Sequence, residues 1–235
     1  MRNIDKLTIE NMDVFFPLTQ KKDLITRISK EYLNGRLLDL GCGTMPYKNI
    51  ILENSNVVEY TGVDIENPIY QTHNKPDFFW DGIKIPLDNA SFNSAILIEV
   101  LEHIPNPNNT LKELNRVLTI DANLLITVPF LWTLHDVPND EYRYTPFALK
   151  RMLLENGFEI VKLESFNNWH GSMASMLALY SRRAISKRNR NLISRVTLPI
   201  VKYLMKKDLK SDKSIFKEGQ MITGLWCVAK KIKNE

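Results

Sequence analysis

The chain has 235 residues, a length that suits one domain with an elaboration and allows a sizeable buried core. Its hydrophobic content of 44% and charged content of 25% are ordinary globular values. No apolar run approaches the roughly 20 residues of a membrane span, and no signal-peptide pattern opens the chain. The two cysteines, Cys42 and Cys227, form neither a disulfide framework nor a metal-binding spacing. A cytoplasmic location is therefore expected, and no metal ligand set is predicted.

The net charge of +4 is unevenly distributed along the chain. Residues 1–181 hold 16 Lys and Arg against 23 Asp and Glu, whereas residues 182–217 hold 12 Lys and Arg against two acids. The basic charge is therefore concentrated in one late segment, which indicates a possible contact with an anionic partner.

The first predicted elements are a helix and a buried strand. Thr19 is expected to cap a helix that runs to about Leu33. An apolar strand follows, carries one acid, Asp39, and breaks into Gly41-Cys42-Gly43. A short apolar run that ends in glycines is typical of a buried parallel strand and its turn. The glycines allow a ligand to approach the backbone closely.

A second strand, Glu59–Asp64, ends about twenty residues after the glycine turn. A glycine turn followed by an acid at the next strand end is the geometry that holds a nucleoside, with the acid on the ribose hydroxyls. A dinucleotide-binding loop is the alternative, but it requires a third glycine. Met45-Pro46 occupies that part of the loop.

The remaining predicted strands and helices alternate, which favours a doubly wound α/β sheet. The predicted strands lie at 77–80, 94–98, 123–128, 158–166 and 221–230. The predicted helices are one at 110–118, one opened by Thr145-Pro146 and a mainly helical segment at 171–206, and residues 66–76 are predicted to be a loop. Asn109 or Thr110 is the expected cap of the helix at 110–118.

These motifs resemble the class I S-adenosylmethionine-dependent methyltransferases between about Arg36 and Leu163. The first motif of that family is an acid, one residue and Gly-x-Gly, which here is Asp39 to Gly43. The sequence EVLEH at 99–103, after an apolar strand, recurs in one large group of the family. The resemblance implies S-adenosylmethionine as cofactor. It also implies a Rossmann-like sheet of seven strands, mostly parallel with the last antiparallel, and a helical insertion before the last strand.

The resemblance implies a single domain over residues 1–235. Its parts are an arm and helix at 1–35, a cofactor-binding core at 36–166, a basic helical insertion at 167–217 and a final strand and tail at 218–235. The residues expected to contact the cofactor are Asp39, Gly41, Cys42, Gly43, Tyr47, Asp64, Ile65, Trp80, Asp81, Gly82 and Glu99. Asp64 would take the ribose hydroxyls and Asp81 the adenine amino group. A solvated acid at Asp64 and a turn cap at Asp81 are the alternatives.

The loop 129–145 resembles a subgroup of these methyltransferases found among bacterial genes for surface polysaccharide and other glycan assembly. The matching residues run from Pro129-Phe130 to His135-Asp136 and on to Asp140–Thr145, and Pro46-Tyr47 after the glycine turn fits the same subgroup. The resemblance makes His135, Asp136, Arg143 and His103 the candidate catalytic residues. A structural role for His103, and an ion pair of Arg143 with Asp136 or Asp140, remain alternatives.

The basic segment 182–217 has a helical face that carries Arg195, Lys202 and Lys206. Such a face suits contact with an anionic membrane or a phosphate-bearing substrate. A solvated helical cap is the alternative, and nucleic acid is the partner least favoured.

O-methylation of a saccharide or small-molecule hydroxyl is the function expected from the resemblance, in the cytoplasm or at the inner face of the membrane. An RNA methyltransferase is a second possibility, but the Asn-Pro-Pro-Tyr type motif used for amino-group methylation is replaced by Ile98-Glu99-Val100-Leu101. A non-catalytic protein that binds the cofactor is a third.

Overall fold

The computed structural model describes residues 6–67 and 74–233. The strands are β1 (Asn34–Leu40), β2 (Asn56–Asp64), β3 (Phe78–Phe79), β4 (Phe92–Ile98), β5 (Leu118–Pro129), β6 (Phe158–Ser165) and β7 (Gly224–Lys231). The helices are α1 (Met12–Tyr32), α2 (Lys48–Asn54), α3 (Pro107–Val117), α4 (Pro146–Glu155), α5 (Trp169–Leu179) and α6 (Lys187–Asp208), with a 3₁₀ turn at Leu101–His103 and a π-helical turn at Tyr180–Ala184. The expected loop at 66–76 and arm at 1–18 fall partly on residues 68–73 and 1–5, outside the described residues.

The seven strands form one sheet in the order β3-β2-β1-β4-β5-β7-β6. The pairs β2–β3, β1–β2, β1–β4 and β4–β5 are parallel, and β7 is antiparallel. This order confirms the predicted Rossmann-like sheet. Because β1, β2, β4 and β5 are parallel, the loops that follow them leave from the same edge of the sheet, where ligands bind in open α/β folds.

The chain packs as two compact units. The larger comprises Ile25–Leu163 and Leu225–Glu235 and contains the fully buried side chains of β1 and β4, such as Leu38 and Ile96. The smaller comprises Met1–Leu24 and Glu164–Gly224 and includes α5 and α6. Its core cluster is Met12, Ala174, Ala178, Val201 and Met205. The predicted single domain with an insertion at 167–217 stays a prediction.

The first helix begins at Met12, so the predicted start at Thr19 is wrong. The Thr19 hydroxyl donates to the Phe15 carbonyl at 2.9 Å, inside the helix. A threonine can bond in this way to the preceding helical turn instead of capping a new helix. Pro17 also lies inside α1, more than one turn after the start of the helix at Met12.

Two later helices differ in how well their starts were predicted. Helix α4 begins as expected, with Pro146 at its first position and the Thr145 hydroxyl accepting from the Ala148 N–H at 3.2 Å. Helix α3 begins three residues earlier than predicted. Its cap is Asn106, whose side chain accepts from the Asn109 N–H at 3.2 Å.

Candidate functional site

The turn after β1 is fixed to the end of β2 by backbone hydrogen bonds. The N–H groups of Gly41 and Cys42 both donate to the Val63 carbonyl, at 2.8 and 3.2 Å. The Gly43 N–H donates to the Asp64 carboxylate at 2.6 Å. The structure therefore brings Gly41, Cys42, Gly43 and Asp64 together, as the nucleoside-type pattern requires.

The two glycines of this turn serve different purposes. Both have a left-handed backbone, with φ of +77° at Gly41 and +54° at Gly43. A Cβ added to Gly41 would lie 2.4 Å from the Val100 side chain, whereas a Cβ added to Gly43 would meet no atom of the described residues within 4 Å. Gly41 is thus needed for close packing on Val100, and Gly43 leaves an open backbone face that a ligand can approach.

Asp64 is half-buried, and both of its carboxylate oxygens accept backbone hydrogen bonds. Oδ2 accepts from the Gly43 N–H, and Oδ1 accepts from the Ile65 N–H at 2.7 Å. A carboxylate has about four lone-pair sites, so these two bonds alone do not saturate it. Ile65 itself is 49% exposed beside it.

Asp39 is the buried acid of the first motif, and its contact is internal. Its side chain accepts the phenolic hydrogen of Tyr60, and only 3% of the residue is exposed. Burial raises the pKa of Asp39 to about 7. Burial also raises the pKa of the Cys42 thiol, which keeps it protonated and unreactive. A direct cofactor contact of Asp39 stays a prediction.

Replacing Asp39 by Asn should change how stability depends on pH. Because the folded-state pKa of about 7 exceeds the ordinary value of 3.8, the native protein holds an extra proton between these limits. The stability of the wild type relative to Asp39→Asn should therefore be highest below pH 4. It should fall by about 3 kcal/mol between pH 5 and pH 8. Urea unfolding of both proteins at these pH values measures the difference, and parallel pH profiles would contradict it.

The residues after β3 combine a buried indole with an exposed acid. Trp80 is 7% exposed, and its buried indole N–H has no hydrogen-bond partner among the described residues. The exposed Asp81 accepts from the N–H groups of Ile83 and Lys84 at 2.8 and 2.9 Å, which lowers the pKa of Asp81. Asp81 therefore caps a turn, and its adenine contact stays a prediction. Gly82 has an open backbone face, since a Cβ there would meet nothing within 4 Å.

Glu99 directly follows β4 and has a strained backbone conformation. Its φ is +57°, which is unusual for a residue other than glycine. The Thr127 hydroxyl donates to Glu99 Oε1 at 2.8 Å and the Glu99 N–H donates to the Thr127 carbonyl at 3.1 Å. Such over-determined strain is common at functional sites. Tyr47, half-buried directly before α2, is the remaining predicted cofactor residue of this edge.

The loop after β5 is attached to the segment after β4. Five hydrogen bonds make the attachment. The N–H groups of Glu141 and Tyr142 both donate to the Glu102 carbonyl, and the hydroxyls of Tyr142 and Tyr144 donate to the carbonyls of Pro105 and Leu101. The fifth bond joins His103 Nδ1 to the Asn139 carbonyl. Two segments about thirty residues apart in sequence are thereby held as one surface, with His103 on one and His135 on the other.

His103 and His135 are in edge-to-face contact, with ring centroids 4.7 Å apart. Two carboxylates flank His103, because its Nε2 lies 3.8 Å from Glu102 Oε1 and 3.9 Å from Asp136 Oδ2. Asp136 is largely exposed, whereas Glu102 is fully buried. The structure therefore brings together three of the four predicted catalytic residues: His103, His135 and Asp136.

Arg143, the fourth, pairs with Asp140. Its two terminal nitrogens lie 2.6 and 2.8 Å from the two carboxylate oxygens, a bidentate pair that lowers the pKa of Asp140. Asp140 Oδ2 also accepts from the His135 N–H at 3.2 Å and lies 3.4 Å from His135 Nδ1. Arg143 thus forms the ion-pair alternative foreseen from the sequence, and it fixes the carboxylate that faces His135.

Glu102 is the functional candidate that the sequence did not single out. It lies inside the EVLEH motif, but a glutamate beside a histidine gives no sign of burial. One ligand atom each from Glu102, His103 and His135 lie within 4.8 Å of one another, so these residues could hold a metal ion. Glu102 becomes a candidate only in the folded structure, because the loop that carries His135 packs against the 3₁₀ turn that carries Glu102.

Comparison with known proteins agrees with this fold. Residues 16–186 match the model of a family described as a methyltransferase domain. The O-methyltransferase rstn1 of Aspergillus nomiae is 26% identical over 163 residues, which cover 60% of this chain and 71% of that protein.

Solved structures with this fold have low sequence identity to the chain. A SAM-dependent methyltransferase from Archaeoglobus fulgidus is 20% identical, with a TM-score of 0.55 over 93% of this chain and 100% of that one. The phosphoethanolamine N-methyltransferase 2 of Haemonchus contortus, in complex with S-adenosyl-L-methionine, is 13% identical, with a TM-score of 0.57 over 97% and 61%. The [4+2]-cyclase SpnF is 17% identical, with a TM-score of 0.55 over 91% and 80%. At these identities the likeness establishes the fold alone.

The residues at the sheet edge fit a nucleoside-bearing cofactor. Among the described residues, Gly43 and Gly82 have open backbone faces, Asp64 presents a carboxylate beside the glycine turn, and the buried Trp80 indole N–H has no hydrogen-bond partner. These features suit a ribose and an aromatic base. Together with the family match over most of the chain, they identify it as a member of the methyltransferase domain family, a class I methyltransferase whose methyl donor is S-adenosylmethionine.

Proposed function

We propose that the protein methylates a hydroxyl group of a saccharide, free or within a glycan. The observation that carries the proposal is the contact between His103 and His135, whose rings meet on the loops that follow β4 and β5. An attacking hydroxyl must lose its proton, and imidazole is the side chain best suited to accept one near neutral pH. The 26% identity to a protein named an O-methyltransferase supports an oxygen nucleophile.

The cofactor side of the proposal uses the glycine turn and two acids. When bound, S-adenosylmethionine supplies an electrophilic methyl group. Asp64 would accept the ribose hydroxyls, and the open backbone at Gly43 would let the ligand approach β1. Asp81 and Gly82 would border the adenine, with Trp80 beside them. These residues would bind and orient the cofactor, and such positioning contributes much of the rate enhancement in a displacement reaction.

The acceptor side of the proposal places the proton on a histidine. His135 would take it, because Asp140 lies 3.4 Å from Nδ1 and would stabilise the imidazolium that forms. Arg143 positions Asp140 through its bidentate pair rather than touching the acceptor. His103, with Asp136 3.9 Å from its Nε2, would orient the hydroxyl from the other side.

The surface of the loop supports the proposed acceptor class, as does the resemblance of the loop to the glycan-assembly subgroup. The loop presents exposed apolar and aromatic side chains beside the histidines: Leu134 is 78% exposed, Val137 71% and Tyr142 38%. A saccharide offers apolar C–H faces between its hydroxyls, so a surface with apolar side chains around charged and imidazole groups suits it.

The proposal is tested by incubating the purified protein with methyl-labelled S-adenosylmethionine and three separate acceptor panels: nucleotide-activated sugars and oligosaccharides, small phenols and amines, and RNA. Label should enter the saccharide panel, and mild acid hydrolysis should release it as an O-methyl sugar. Transfer confined to RNA or to amines would overturn the saccharide assignment.

The smaller unit supports a second contact, with a membrane surface. Large apolar side chains are exposed along one face of α6, and they are Leu192, Val196, Ile200 and Tyr203. Helix α5 has a similar exposed row of Trp169, Met173 and Met176, continued by Tyr180. No helix in the described ranges 6–67 and 74–233 has the length and hydropathy to cross a membrane.

Basic side chains border the apolar row of α6. Arg195, Lys202 and Lys206 are exposed at helical positions next to it, on the side away from the buried Val201 and Met205. An exposed apolar row beside cationic side chains is the arrangement of helices that lie on anionic membranes. We therefore infer a peripheral membrane contact through residues 182–217.

Neutralising Arg195, Lys202 and Lys206 together with Gln should weaken binding to vesicles that contain phosphatidylglycerol. Each basic residue near an anionic surface contributes about 1 kcal/mol, so the triple variant should bind about 100-fold more weakly. Co-sedimentation at several lipid concentrations measures the change. The matched control neutralises the exposed Lys112, Lys150 and Arg151 of the larger unit and should bind as wild type does. Failure of the wild type to sediment with anionic vesicles would end the membrane proposal.

A further inference from the structure

A buried carboxylate and two imidazoles converge beside the loop that carries His135. One ligand atom of each of Glu102, His103 and His135 lies within 4.8 Å of the others. All three residues belong to the larger unit, and Glu102 is fully buried within the 3₁₀ turn after β4. These residue types, imidazole and carboxylate, are the common ligands of first-row divalent cations.

The His103 imidazole already has a hydrogen-bond partner for one of its nitrogens. His103 Nδ1 lies 2.9 Å from the Asn139 carbonyl, an acceptor only, so this nitrogen carries the proton. His103 Nε2 is then the nitrogen with the free lone pair, and it is the one that faces Glu102 and Asp136. Ligating histidines are generally oriented in this way, with the second ring nitrogen held by a carbonyl or carboxylate.

His135 has a carboxylate close to its ring. Its Nδ1 lies 3.4 Å from Asp140 Oδ2 without a hydrogen bond to it, and Arg143 holds Asp140 through two hydrogen bonds. A small movement would let Nδ1 donate to Asp140, which would leave Nε2 as the ligand atom. A carboxylate that is itself fixed by another side chain is the usual outer support of a metal-bound histidine.

The charges of this cluster also favour a cation. Three carboxylates, those of Glu102, Asp136 and Asp140, lie within 4 Å of one of the two histidines. Arg143 is engaged with Asp140. A fully buried carboxyl group such as that of Glu102 is generally hydrogen-bonded, paired or coordinated to a metal, so a cation is one partner that suits it.

We propose that Glu102, His103 and His135 bind one divalent first-row transition cation, with Asp136 able to add a fourth ligand from the surface. Ligand atoms about 2.1 Å from a shared ion lie about 3.4 Å apart in tetrahedral geometry. The observed spacing, up to 4.8 Å, exceeds this by about 1.4 Å, an approach that side chains at the end of a turn and on a loop can make. Two imidazoles and one carboxylate suit Zn²⁺, Fe²⁺ or Co²⁺ better than Mg²⁺ or Ca²⁺.

This cation would deepen the proposed function, and its role in the reaction rests on that function. In the cation-bound form both imidazoles are ligands, so His135 would not take the proton. A hydroxyl of the acceptor coordinated by the ion would be more acidic and would lose its proton to water. His103 and His135 would then act on the acceptor through the cation, while Asp140 and Arg143 position His135.

Cobalt binding by the protein tests the site directly, without cofactor or acceptor. Chelator-treated wild-type protein should bind one equivalent of Co²⁺, with visible absorption bands that saturate on titration. His103→Gln and His135→Gln should each weaken binding by about 100-fold or more, and Asp140→Asn by about tenfold because it only orients His135. His170→Gln is the matched control, since His170 lies on α5 outside the cluster, and its titration should equal that of the wild type.

Unchanged S-adenosylmethionine binding, measured by calorimetry, would establish that each variant is folded. Absence of a saturable cobalt spectrum in the wild type would overturn the site, and so would equal cobalt affinity in the wild type and both histidine variants. Failure to methylate saccharides would leave the cobalt titration intact, so the two proposals fail separately. Zn²⁺ and Mg²⁺ competition against bound Co²⁺ should show displacement by Zn²⁺ at far lower concentration.

Discussion

Asp64→Ala should lose most of the affinity for S-adenosylmethionine. The substitution removes an acceptor that would bond two ribose hydroxyls, and a hydrogen bond to a charged group contributes about 1.5–3 kcal/mol. It also removes the 2.6 Å bond that holds the Gly43 N–H and fixes the glycine turn to the end of β2. The dissociation constant measured by calorimetry should rise by about 100-fold to 1000-fold.

Two further variants separate the ribose contact from the support of the turn. Asp64→Asn keeps an oxygen that can accept from the Gly43 N–H but loses the charge, so its loss of affinity should be smaller than that of Asp64→Ala. Asp88→Ala removes an exposed acid from the connection before β4 and should bind as the wild type does. Equal affinity of Asp64→Ala and the wild type would remove Asp64 from the cofactor site.

His135→Gln should reduce turnover by about 100-fold or more, which is the usual contribution of a positioned proton acceptor. Asp140, which Arg143 holds in a bidentate pair, lies 3.4 Å from the imidazole and would stabilise its protonated form, and glutamine cannot take the proton. The fall should appear in kcat, while cofactor affinity stays near the wild-type value because His135 lies on the loop after β5. Steady-state methyl transfer combined with calorimetry measures both quantities.

His170→Gln is the control for this variant, because it removes a histidine from α5 and should leave turnover unchanged. Arg143→Gln should give a partial loss, since Asp140 stays near His135 but loses the partner that orients it. Turnover of His135→Gln equal to that of the wild type would return His135 to a purely structural role.

The sheet could be predicted from the sequence because its signals are local. An apolar run that ends in Gly41-Cys42-Gly43 specifies a buried strand and turn within a few residues, and Thr145-Pro146 specifies a helix start in the same way. The start of α1 was missed for a physical reason. Threonine is a residue type that often caps helices, but the Thr19 hydroxyl bonds to the preceding helical turn. The sequence does not distinguish these two uses of the hydroxyl.

The candidate site could be predicted residue by residue, but its assembly could not. His103 and His135 are 32 positions apart, and their contact depends on the parallel pairing of β4 with β5 and on the bonds that tie Tyr142 and Tyr144 back to the turn after β4. Burial of Glu102 has the same origin. Its neighbours in sequence give no indication of it, because the cover comes from a distant loop.

The close packing of Gly41 on Val100 has a kinetic consequence. Val100 directly follows the strained Glu99 and lies two residues before Glu102. A packed contact transmits a small displacement rather than absorbing it. A movement of the glycine turn when the cofactor binds would therefore displace the segment that carries His103. The expected kinetic scheme is sequential and ordered: S-adenosylmethionine enters first, and the acceptor enters a histidine site that the first ligand has already shaped.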